Sequence, residues 1–406
     1  MSKQLLDGEI IEFLFPPQNT KIELSDEKIN EKYVKGDVRI ITEQARYPLN
    51  TILTIVNNPS YILNPEFQRR HRWGIEKKSK LIESFIMNVP IPPVFLYEIS
   101  FSEYEVMDGL QRLTAISQFY KDEFALEGLM EWKELNGRRY SELPEQIQKG
   151  IDRRYLSSII LLQETAKNEN EAQRLKQLVF ERINSGGEKL TAQETRNALY
   201  PGKLNSLCLK LARDKNFCQM WNIPEPIFDT PDAEKVTDEL TKNPLFSRME
   251  DAELVLRFFA YRQIEKWEGV SLETFLDEFL LKGNFFAEEI ISNYAHIFKR
   301  TISLIYSTLG ETAFWLIRKR KFKDGSEGEW KYYERPTKVL YDPLMYLFSN
   351  YIEQEELLLE RKEQLKVKLE ALYIEKQEVL GGRNTNRNDV LSRIELINQV
   401  FENILS

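Results

Sequence analysis

The chain has 406 residues, 42% of them hydrophobic and 30% charged, with a formal net charge of −8 and a pI near 5.3. That length exceeds one typical core and predicts two or three folded domains, while the acidic balance excludes a surface that binds polyanions throughout, so any nucleic-acid contact needs a local basic patch. Two cysteines (Cys208, Cys218) and two histidines (His71, His296) exclude a disulfide framework, a cysteine zinc site and an HNH-type or histidine-rich metal centre.

No run approaches 18 apolar residues, and the first ten residues carry acidic side chains where a leader peptide has an apolar run. A soluble, cytoplasmic protein is expected. Residues 1–37 are mixed and charged, and read as an N-terminal arm.

From Pro48 the pattern becomes dense. Leu49, Ile52, Leu53 and Val56 predict a short helix closed by Asn57-Asn58-Pro59, and Tyr61-Ile62-Leu63 a short strand. The irregular stretch Phe67 to Trp73 is packed with donors and one indole. Ile75, Ser79, Ile82, Ile86 and Val89 step as a helix, broken by Pro90, Pro92 and Pro93. Val94–Tyr97 and Tyr104–Met107 read as paired strands across a polar turn.

Directly after them comes Asp108-Gly109-Leu110-Gln111-Arg112-Leu113-Thr114. Gly109 permits a turn with φ > 0, and Leu110, Leu113, Ser117 and Tyr120 recur at helical spacing. A strand–turn–helix junction aims free backbone N–H groups at whatever lies in front of the helix, which makes it a natural anion site. Here it also carries a carboxylate, a carboxamide, a guanidinium and a hydroxyl, a set suited to a phosphate with its metal ion. The same residues also suit an ordinary strand–helix turn with a surface arginine.

Further on, Pro144 opens a short helix and Ser158–Leu162 is a buried strand. A charged helix begins near Glu169 and ends at Asn184-Ser185-Gly186-Gly187, after which Thr191-Ala192-Gln193-Glu194 forms a capping box. Beyond Pro201 the strand signals fade, and residues 203–221, 248–267, 271–281 and 285–308 read as helices, with Leu254–Tyr261 apolar all round. Phe314–Lys323 is basic and flanked by aromatics, and it is followed by Trp330, Tyr332 and Tyr333. Arg318, Lys319, Arg320 and Lys321 are thus candidate nucleic-acid contacts, and equally the outer face of a hairpin turning at Asp324-Gly325. Leu358, Leu365, Leu372 and Val379 recur every seven residues, which predicts a long helix packed within its own domain.

Three stretches share one character: Gln68, Arg69 and Trp73; Asp108 to Thr114; and Asn184, Gly187, Leu190 and Thr191. With Pro90 to Pro93 between the first two, their order closely resembles the domain-of-unknown-function family numbered 262, over roughly residues 38 to 200. The resemblance implies an α+β protein: an N-terminal α/β domain similar to the ParB and sulfiredoxin superfamily (38–200), followed by an all-α C-terminal domain (201–406). It also implies a nucleotide site at the Asp-Gly-x-Gln-Arg motif. Relatives occur in bacterial anti-phage systems, including GmrSD-type restriction of modified DNA, where this domain is linked to nucleotide hydrolysis and a separate HNH-type domain cuts DNA. Leu110 stands where the family usually has Gln, and two histidines cannot furnish an HNH centre.

The expected roles follow. Asp108 holds Mg²⁺ that accompanies the nucleotide, Arg112 and Arg69 neutralise phosphate charge, and Gln111 orients water. Gln68, Gly109, Thr114, Asn184 and Gly187 line the nucleotide site, and Trp73 either stacks on the base or packs in the core. The leading expectation is a nucleotide-binding and nucleotide-hydrolysing module of a restriction system, with DNA and a separately encoded nuclease as partners. Its rivals are a non-catalytic DNA- or partner-binding regulatory module and, more weakly, a ParB-like nuclease.

Overall fold

Along β3 (Val94–Ser100) buried Val94 and Leu96 alternate with Phe95 and Tyr97, so the strand offers a different set of side chains to each face of its sheet. In the computed structural model β3 is central to a five-stranded sheet of order β1-β5-β3-β4-β2, with β1 Thr42–Pro48, β2 Tyr61–Ile62, β4 Glu103–Asp108 and β5 Tyr155–Leu161. β1 and β4 run antiparallel to their neighbours β5 and β3, whereas β3 is parallel to β5 and β2 to β4. The structure describes residues 5–13, 24–35, 40–63, 70, 73–165, 169–184, 190–230, 233–321, 327–381 and 386–406. It divides into two units, Lys21–Leu190 and Met1–Thr20 joined with Thr191–Ser406.

One face of the sheet holds the core of the first unit. Val94, Leu96, Val106, Leu156 and Ile160 of the strands pack with Ile82 and Phe85 of the helix Ile75–Met87, and with Leu113, Ile116 and Phe119 of the helix Leu110–Tyr120. Each such side chain contributes about 1.5–3 kcal/mol of burial. The first of these helices stops at Asn88, whose left-handed backbone (φ 61°) turns the chain before the prolines arrive. Its buried Glu83 accepts three backbone N–H bonds, from Met130, Glu131 and Trp132 at 2.9–3.1 Å, and so fixes the loop that follows the second helix. The other face is covered by the helix Glu169–Asn184, anchored where Lys176 pairs with Glu105 of β4 and lies over the ring of Tyr97.

The second unit is mostly helical, with two small antiparallel pairs: β6 Phe228–Thr230 with β7 Ala233–Glu234, and β8 Trp315–Lys321 with β9 Glu327–Pro336. Its centre is the helix Glu250–Tyr261, apolar on nearly every side and buried accordingly. Within it Arg257 is 1% exposed and forks onto Asp342 of the helix Lys338–Asn350. The capping box at Thr191 is present in both directions. One helix expected over 203–221 is two, Lys203–Leu211 and Lys215–Met220, because Asp214 caps the second. The expected long helix over 353–380 is broken into Glu355–Glu360, Lys362–Glu375 and Gln377–Leu380. Leu358 and Leu365 are buried, but Val379 is exposed and Leu369, Tyr373 and Leu380 take over the buried stripe. The breaks at Arg361 and Lys376 reset the helical phase, so a seven-residue count does not carry across them.

Residues 1–20 group with this second unit. Glu9 is fully buried there and receives both Nε and Nη2 of Arg262 and the hydroxyl of Tyr294. Gln263 adds a side-chain bond to the Glu9 carbonyl at 2.8 Å and accepts from the Ile11 N–H at 2.9 Å.

Candidate functional site

The end of β4 and the start of the next helix meet at Gly109, whose φ of +95° is the conformation that the sequence predicts for the turn. A side chain would not fit there: a Cβ on Gly109 would lie 2.4 Å from Cγ1 of Val94 and 3.0 Å from Nη2 of Arg112. As the residue that caps the helix, Gly109 has no side chain to accept from the first-turn amides. The turn therefore leaves those donors for another partner.

Three side chains of the motif are gathered around it. Arg112 donates from Nη2 to Oδ2 of Asp108 at 2.7 Å and to the carbonyl of Pro93 at 3.1 Å. Asp108 keeps 35% of its side chain exposed while Arg112 keeps 14%, so the carboxylate fronts solvent with the guanidinium behind it. Gln111 accepts the backbone N–H of Trp73 at its Oε1, 3.2 Å away. Two polar atoms of the junction, Nε of Arg112 and Oγ1 of Thr114, are buried with no hydrogen-bond partner among the described residues. Such orphans need an explanation.

Leu110 is 6% exposed and belongs to the core. The motif position at which this sequence carries an apolar residue thus faces inward, away from the polar group of the turn. Trp73 packs against the same core, and Nζ of Lys77 sits 4.9 Å above its ring. Gln68, Arg69 and Gly187 lie outside the described residues, as does the side chain of Asn184, although the backbone of Asn184 closes the helix Glu169–Asn184. On the hairpin, Arg318 stacks over Tyr333 at 5.1 Å and Lys319 over Trp330 at 5.3 Å, while the side chains of Arg320 and Lys321 lie outside the described residues. His296 is exposed on the helix Glu288–Leu309.

Among the described residues no three His, Cys, Asp or Glu side chains gather as a metal cage. Asp108 is then a single carboxylate donor. That donor set fits Mg²⁺, which is commonly held by one or two carboxylates with water and substrate phosphate completing its shell.

A feature that sequence patterns did not reveal lies beside the junction. Phe95 is the register partner of Asp108 across β3 and β4. It lines a groove of about 500 Å³ with Ile40, Leu178, Val179, Arg182 and Ile183. The signal was present in the alternation of β3, but not the identity of the helix that covers that face.

The junction and its flanking elements fall within a segment that matches a known family. Residues 52–201 match the GmrSD restriction endonuclease, N-terminal domain. The GmrSD-type match takes in β2 to β5, the Asp108–Thr114 turn and the capped helix Ala192–Leu199, and it points to a restriction-system module of the GmrSD type. No curated protein and no solved structure gives a significant match to the chain. Among the described residues no helix is long and apolar enough to cross a membrane.

Proposed function

We propose that the Lys21–Leu190 unit binds a nucleoside triphosphate at the Asp108–Arg112 junction and hydrolyses it, as the nucleotide-dependent part of a restriction system. The observation that carries this reading is the turn at Gly109, where an uncapped helix start, a partly exposed carboxylate and a guanidinium meet, with two buried polar atoms beside them that have no partner among the described residues. Helix N-termini favour anions through their free N–H groups and dipole. Arg112 is already oriented by Pro93 and Asp108, so little side-chain entropy remains to be lost when a phosphate arrives.

Phosphoryl transfer depends mainly on positioning and on stabilising charge. Arg112 neutralises phosphate oxygens, and Asp108 would hold the Mg²⁺ that accompanies the phosphates. Gln111 orients the attacking water. Mg²⁺ itself would supply charge neutralisation. Calorimetric titration with each ribonucleoside triphosphate tests the binding half of the proposal. Saturable binding that Arg112→Ala weakens at least tenfold supports it, and absence of binding to every triphosphate rejects it.

A DNA-contacting role for the β8–β9 hairpin rests on the pairs Arg318–Tyr333 and Lys319–Trp330, which hold cations against rings with Tyr332 and Tyr333 exposed beside them. Cations neutralise backbone phosphate and rings stack on bases. Exchanging Arg318 and Lys319 together for alanine lowers DNA affinity and reduces the slope of log affinity against log salt by about 2, one for each phosphate that is no longer neutralised. An unchanged slope assigns the hairpin to packing alone.

A further inference from the structure

We infer that the apolar groove on the far face of the sheet from the core is a base-binding subsite for the nucleotide whose phosphates occupy the Asp108–Arg112 junction. This rests on the nucleotide reading above and adds to it the part of the ligand that the junction cannot hold.

Three observations converge on it. The first is position: Phe95 lies opposite Asp108 in the β3–β4 register, and directly opposed residues of an antiparallel pair are only about 5 Å apart at their Cα atoms. A nucleotide reaching from the junction across one strand meets Phe95 next. The second is chemistry. The groove is walled by the Phe95 ring and by Ile40, Leu178, Val179 and Ile183, with the guanidinium-bearing Arg182 as its charged member, which suits a flat, largely apolar base attached to an anion. The third is size, since about 500 Å³ falls within the roughly 300–1,000 Å³ of small-ligand sites.

Trp73, the aromatic that sequence suggests for stacking, is a poorer platform. It packs against the core, and the Lys77 ammonium lies over its ring. Phe95 projects on the face away from that core, where the helix Glu169–Asn184 forms the opposite wall. That helix is held over the sheet by the Lys176–Glu105 pair.

The test compares nucleotides with inorganic tripolyphosphate, which presents the same anion without a base. The whole chain is titrated calorimetrically with each ribonucleoside triphosphate and with tripolyphosphate, in Mg²⁺, alongside Phe95→Ala and Ile183→Asp, both checked for native circular dichroism. The preferred nucleotide is expected to bind roughly 10- to 100-fold more tightly than tripolyphosphate, the range typical of a stacked base. Each substitution should pull that ratio towards one. A ratio near one in the unaltered protein, or a ratio that neither folded variant moves, overturns the subsite and leaves the phosphate junction standing. Failure of nucleotides and tripolyphosphate alike to bind overturns the nucleotide reading as well.

Discussion

Nη2 of Arg112 lies 2.7 Å from Oδ2 of Asp108 and 3.1 Å from the carbonyl oxygen of Pro93, so a single guanidinium ties the end of β4 to the residue that precedes β3. The two strands are thereby locked at the edge where the turn begins. Both bonds leave the same nitrogen, Nη2, so the tie rests on one positively charged donor group and not on a two-pronged fork.

Gly109→Ala should destabilise the first unit by about 1–3 kcal/mol, the usual cost of forcing a side chain into a strained backbone region. Here φ is +95° and the new Cβ would press on Val94 and Arg112. Urea unfolding of the two proteins measures the difference. Equal midpoints would mean that the turn relaxes freely and that its geometry is not enforced by Val94.

Glu9→Ala should cost about 3–5 kcal/mol in the second unit, because it strands a buried Arg262 without its carboxylate. Tyr294 loses its acceptor in the same step. Thermal unfolding with a probe in the helical unit reads the loss. A change below about 1 kcal/mol, the scale of an exposed ion pair, would show that the N-terminal segment is dispensable to that unit.

Glu253 gives the pH dependence its sign. Burial alone would raise its carboxyl pKa, but the charges of Lys338, Arg196 and Arg257 outweigh burial and hold it below the ordinary value. A depressed folded-state pKa adds stability above the unfolded pKa, and that stability disappears as pH falls through the folded one. The stability gap between the unaltered protein and Glu253→Gln is therefore full at neutral pH and narrows as the pH drops below about 4. Denaturant midpoints across that range test the sign, and a gap that widens in acid would contradict it.

Much of this architecture was legible because local chemistry and fold agree. The β3–β4 pair, the Gly109 turn and the Thr191 cap are each specified by residues within a few positions of one another. Pairings between distant residues were not legible. Nothing near Glu9 foretells Arg262, and nothing in β3 names the helix that makes Phe95 one wall of a groove. The leucine heptad misled for a physical reason: the chain breaks at Arg361 and Lys376, each break resets the helical phase, and Val379 is exposed on its own short helix. The two cysteines were read only as too few for a framework. Both are buried, and burial pushes the Cys218 thiol up to about 12.

Phosphate release tests the central claim most directly. The protein is incubated with each ribonucleoside triphosphate and Mg²⁺, with and without DNA, beside Asp108→Ala and Arg112→Ala. Turnover by the unaltered protein that falls at least about a hundredfold in both variants, as expected when a phosphate-stabilising group is removed, is the predicted result. Turnover that persists in both variants would move the chemistry away from this junction. Tight binding with no release at all would make the module a nucleotide sensor and contradict hydrolysis.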